Sequence, residues 1–116
     1  MSTTTDEAAQ LLLAAWKGAT RINGLPSRCR PADLDQGYAI QDALLLATGE
    51  ALGGHKIAAT SVAGQQHIGI THPITGGLLS SQIRSPGAQV SLSGNQMCAA
   101  EAEFVFEFKA RVSPRS

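Results

Sequence analysis

The chain has 116 residues, with nine Lys and Arg against nine Asp and Glu and a net charge of zero. That length suits one domain burying roughly 65% of its unfolded surface. Charge neutrality argues against a nucleic-acid surface or a basic membrane patch. The longest apolar run, Leu11 to Trp16, is far short of the ~20 residues a membrane span requires.

The acidic start, Met1 to Glu7, is unlike a secretory signal. Thr4-x-x-Glu7 fits a capping box, with Ala8, Leu12 and Trp16 at helical spacing and Gly18 as the stop. A loop follows from Gly24 to Pro31. Asp33, with Gln36 three residues on, caps a second helix whose face carries Leu34, Tyr38, Leu45 and Leu52 and which Gly53-Gly54 end.

Beyond those glycines the period changes. Lys56 to Thr60 reads as a strand, and Ser61 caps a short helix over Val62 to Ile68. Thr71-His72-Pro73 and Gly76-Gly77 punctuate a loop, with strand-like Leu78-Leu79 and Gln89 to Leu92 after it. Ser93-Gly94-Asn95 is a turn before a final strand. The fold class expected is α+β, with a helical region over 1–54 and the start of a β-rich catalytic domain over 55–116. Cys29 and Cys98 lack CxxC spacing and suit reduced thiols in a cytoplasmic protein.

The charges are unevenly spread. No carboxylate lies between Ala51 and Ala100, where only Lys56 and Arg84 carry full charge. Ala100 to Lys109 then alternates: Phe104, Phe106 and Phe108 on one face, Glu101, Glu103 and Glu107 on the other. In a strand the α-carbons of Glu101 and Glu103 lie about 6.6 Å apart with side chains on one face. Two carboxylates so placed are either a solvated sheet face or ligands for a hard cation such as Mg²⁺ or Mn²⁺. Glu is depleted in strands, and three on one face repel unless something compensates. The Phe face needs a second layer, supplied by another subunit or by further chain. His55, His67 and His72 lack zinc-site spacing, and no nucleophile elbow is present.

Three blocks together resemble 2-keto-4-pentenoate hydratases and 4-oxalocrotonate decarboxylases of the fumarylacetoacetate hydrolase superfamily. They are Tyr38-Ala39-Ile40-Gln41, the run Gly54 to Ser61 with Gln65-Gln66 and Ile68-Gly69-Ile70, and Ala100 to Phe106. The resemblance covers the N-terminal half of such enzymes. It implies a longer parent with a mixed β fold and a third metal carboxylate beyond Ser116. It further implies that Glu101 and Glu103 are ligands of Mg²⁺ or Mn²⁺. Lys56 would be the active-site lysine, pairing with the carboxylate of a 2-oxo acid or shuttling a proton. Hydration, decarboxylation and a non-catalytic fragment are the readings it leaves open. A homo-oligomer is expected, with no nucleic-acid or membrane partner.

Overall fold

A computed structural model describes residues 3–114. Three helices and a two-stranded antiparallel sheet follow in the order α1 (Thr4–Lys17), α2 (Leu34–Thr48), β1 (Leu52–Ala58), α3 (Val62–Ile68) and β2 (Ile74–Leu79). The class is α+β, as the sequence leads one to expect.

Helix α1 starts one residue earlier than the Thr4-x-x-Glu7 reading. Thr3 is the N-cap: its Oγ1 accepts from the Asp6 N–H, and Asp6 accepts in return from the Thr3 N–H. The shift has a consequence, because Glu7 is released from capping and turns to Arg28 instead. Both Glu7 oxygens accept from that guanidinium, Oε2 from Nε at 3.1 Å. Arg28 belongs to a 3₁₀ turn (Ser27–Cys29) that seats buried Cys29 against Ala8 and Ile40, with Leu12 and Leu25 packed around them. Gly18 ends α1 as expected.

The Asp33 cap is found where the sequence puts it, its carboxylate accepting from the Gln36 N–H at 2.8 Å. Helix α2 nevertheless ends at Gly49, before Gly53-Gly54. Gly49 adopts φ 71°, a left-handed conformation natural to glycine, and its N–H caps the Leu46 carbonyl. Residues 50 and 51 are therefore freed to turn the chain into β1. Gly53 is needed at the start of that strand, since a Cβ there would lie 3.0 Å from the Ser80 backbone. Gly76-Gly77 likewise fall inside β2, opposite Lys56 and His55, and not in a loop.

Strand β2 is held from its other edge by α2. The Gly77 N–H donates to Gln41 Oε1 at 2.7 Å, the Thr75 N–H donates to the Tyr38 hydroxyl at 3.2 Å, and Gln41 Nε2 donates to the Thr75 carbonyl at 3.3 Å. Two side chains one helical turn apart thus take the place of a third strand. Ser61 caps α3 over the residues expected.

The rest of the chain is loosely covered. Beyond a 3₁₀ turn at Ser80–Gln82 there is no helix or strand among the described residues. Gln89 to Leu92 is not a strand, and Ala100 to Lys109 has no ladder partner, leaving Phe104 97% exposed. The accessible surface is 9741 Å², against about 6,000 Å² for a compact chain of this mass. The radius of gyration is 15.9 Å, where about 13 Å marks a compact domain of similar size. The expected burial of two thirds of the surface is not reached, because among the described residues only Ala8, Ala9, Leu13, Cys29, Ile40 and Leu79 form a buried apolar core.

Two outcomes are expected. Gln41→Met leaves the part-buried Gly77 N–H without its acceptor and costs about 1–3 kcal/mol in urea unfolding, with β2 the first element to lose hydrogen-exchange protection. The Glu7 carboxyl is held below its usual range, first by Arg28 and then by the Cys29 thiol. Its contribution is present above the unfolded carboxyl value and is lost as pH falls through the lower folded value. Acid titration of Glu7→Gln followed by circular dichroism is expected to show a weaker loss of stability in that window than wild type.

Candidate functional site

Lys56 lies midway along β1, opposite Gly76, where the pleat points its half-buried side chain away from the open faces of His55 and Ile57. Its ammonium lies 3.0 Å from Glu101 Oε2 and 2.6 Å from Glu103 Oε1. The three residues singled out in the sequence are therefore together. Two carboxylates two residues apart converge on one cationic atom, although the segment that bears them forms no ladder.

The electrostatics follow from that geometry. The Lys56 ammonium is held above the ordinary lysine range, Glu103 contributing most and Glu101 next, against a smaller opposing cost of burial. At neutral pH it is a protonated donor, suited to neutralising an anion and unsuited to abstracting a proton while both glutamates hold it. The glutamate side chains are 71% and 54% exposed, so water screens the pairs.

Two hollows among the described residues lie away from this cluster. One, of about 240 Å³, lies between α1 and the Ser80–Gln82 turn and is lined by Leu13, Trp16, Leu79 and Gln82 among others. The second, of about 190 Å³, is lined by Leu34, Tyr38, Gln41, Ile74 and Thr75. Tyr38 and Gln41 are thus both the clamp on β2 and the wall of a hollow. Their i, i+3 spacing on a helix is the signal in the sequence that they share a face.

As a cation site, the cluster has the right donors. Both carboxylates already converge on a positive charge, and hard cations such as Mg²⁺ take one or two carboxylates with water completing the shell. No group of three or more His, Cys, Asp or Glu placed to hold a metal occurs among the described residues. Cys29 is buried and Cys98 exposed, both as free thiols. No helix among the described residues is long and apolar enough to cross a membrane.

The comparisons with known proteins agree with a hydratase-like relationship. Over 103 residues, 86% of this chain, the sequence is 31% identical to the TodF product hydratase of Pseudomonas putida. The chain spans 38% of the length of that relative. No family model matches the chain, and no solved structure does.

An NMR titration of the Lys56 side chain checks the electrostatics. The folded value being the raised one, the contact is intact below the ordinary lysine range and is lost as pH climbs through the folded value. Glu103→Gln is expected to lower the Lys56 titration midpoint more than Glu101→Gln does. Equal or reversed effects would show that the two contacts differ from those described.

Proposed function

We propose that the chain carries part of the active site of a divalent-metal-dependent hydratase acting on 2-hydroxy-dienoate or 2-oxo-enoate acids, in the breakdown of aromatic compounds. The observation that carries this reading is the convergence of Glu101 and Glu103 on the Lys56 ammonium, in a chain similar to a hydratase. Glu101 and Glu103 are the residues that hold Mg²⁺ or Mn²⁺. An ion held there would supply Lewis acidity at the 2-oxo or 2-hydroxy oxygen of the substrate.

Lys56 contributes charge and a proton. With the glutamates engaged by a cation, its ammonium would be free to pair with the substrate carboxylate. Removed from two negative neighbours, it also loses what holds its titration high, which moves it toward the range where a lysine exchanges protons. The same residue is therefore poised for anion binding or for proton transfer, depending on what occupies the carboxylates. A decarboxylase of the same kind would use the same two elements, with carbon dioxide leaving the substrate where a hydratase adds water to it. The reading includes a cytoplasmic location, consistent with the two free thiols.

The openness of the carboxylates favours a second reading, in which this chain binds cations weakly and does not turn over substrate. Calorimetry with Mn²⁺ on the 116-residue chain separates binding from catalysis. Two exposed carboxylates are expected to give roughly millimolar affinity. Glu101→Gln/Glu103→Gln is expected to abolish it. Lys56→Met, which removes the competing ammonium, is expected to tighten it. Undiminished Mn²⁺ binding in the double glutamine variant overturns the metal assignment. Turnover is read as loss of the ultraviolet absorbance of 2-hydroxypentadienoate when water adds across its conjugated system. Unchanged turnover in Lys56→Ala removes the lysine from the mechanism, and no turnover by a chain that binds Mn²⁺ leaves the second reading.

A further inference from the structure

From the loop between α1 and the Ser27–Cys29 turn we infer that Asn23-Gly24 is a site of self-modification. There the Asn23 side-chain amide closes on the Gly24 nitrogen, loses ammonia and hydrolyses to aspartate and isoaspartate. Both residues are exposed, and Asn23 lies at a bend. Hydrogen bonding stops short of them on either side. The Thr20 N–H still bonds back to the Ala15 carbonyl, and downstream the Cys29 N–H donates to the Pro26 carbonyl. Arg30 Nε fixes the Leu25 carbonyl at 2.9 Å. Between these anchors, among the described residues, neither the Asn23 side chain nor the Gly24 N–H has a hydrogen-bond partner. A nucleophilic nitrogen and an electrophilic amide carbon are thus neighbours in the chain, and both are unengaged.

Gly24 is what lets them meet. It has no side chain to shield its own nitrogen. Where a Cβ would stand, the nearest group is an Arg30 guanidinium nitrogen, 3.6 Å away. That cation stands beside the backbone on which negative charge develops as the N–H proton leaves.

The step balances with water alone. Hydroxide takes the Gly24 N–H proton, and the nitrogen forms a bond to Asn23 Cγ. The Cγ–Nδ2 bond breaks, and ammonia leaves with a proton returned by water. A second water opens the five-membered imide at Cγ to give aspartate, or at the Asn23 main-chain carbonyl carbon to give isoaspartate. No electrons are transferred. Either product adds one negative charge to a chain whose formal net charge is zero. The reaction is local to two adjacent residues, needs no partner surface and is independent of the hydratase reading.

Asn95, the other asparagine, is built differently. Its Oδ1 accepts from the Met97 and Cys98 N–H groups, each at 3.1 Å, and Gln96 follows it. Turning that amide toward its neighbour's nitrogen would break both bonds and would meet a residue that carries a side chain. One molecule therefore holds the reactive site and its control.

Peptide mapping of the full 116-residue chain tests the assignment. The chain is incubated in mildly alkaline buffer, digested with trypsin and read by mass spectrometry against an unincubated sample. Cleavage after Arg21 and Arg28 isolates Ile22–Arg28. That peptide is expected to gain the mass of exchanging NH₂ for OH, and to separate into aspartate and isoaspartate forms. Its rate is expected to exceed that at Asn95 by about tenfold or more, and to rise with pH. Asn23→Gln, whose amide would have to close a six-membered ring, is expected to leave the peptide unmodified over the same time. Circular dichroism reports that α1 and α2 remain folded in both proteins. A rate at Asn23 no greater than at Asn95, a product without isoaspartate, a rate that does not rise with pH, or equal modification of the glutamine variant would each overturn the site.

Discussion

Lys56 sets the terms on which the end of the chain meets the sheet. A strand residue and two glutamates far along the sequence share one ammonium, and no backbone ladder supports the contact. Because that ammonium is a compact point charge on a flexible stem, it gathers both carboxylates without demanding a fixed geometry from either. The arrangement is therefore one that water weakens, since both glutamates are exposed. A buried bridge would behave differently, since desolvation would make the pairs strong and exchange slow.

The folded portion explains why Lys56 itself is well placed. Helix α2 grips β2 through Gln41 and Tyr38, β2 registers β1, and the register puts Lys56 opposite Gly76, a residue with no side chain to crowd it. On the far side, Glu7 and Arg28 fasten α1 to the turn carrying Cys29. These are polar clamps around a core that, among the described residues, has six buried apolar side chains. Such a small core gives limited stability, so the clamps matter more here than in a fully covered domain. The apolar surface left over after Gln82 is the counterpart of that small core.

Much of this was readable from residue order. The Asp33 and Ser61 caps are local, each a side-chain oxygen meeting an N–H three residues on, so sequence spacing suffices to place them. Lys56, Glu101 and Glu103 were each singled out in the sequence, the lysine as partner of a substrate carboxylate and the glutamates as cation ligands, but the ion pairs among them were not legible there. The displaced Thr3 cap and the early stop at Gly49 were less legible. Thr3, Thr4 and Thr5 are chemically equivalent caps, and Gly49 competes with Gly53-Gly54 as a terminator. Local chemistry leaves both ties unbroken.

Tertiary contacts broke them. Glu7 is taken by Arg28, which leaves Asp6 to complete the box, and the strand needs Gly53 against Ser80, which forces the helix to end sooner. Alternation along Ala100 to Lys109 likewise showed which side chains share a face, but a strand exists only where another backbone answers its N–H and C=O groups. By itself, then, the order of residues determined where the helices form, the Asp33 and Ser61 caps and the charge pattern, all short-range properties. Where the sheet stops, and what meets the glutamates, was decided by groups distant in the chain that only folding brings near.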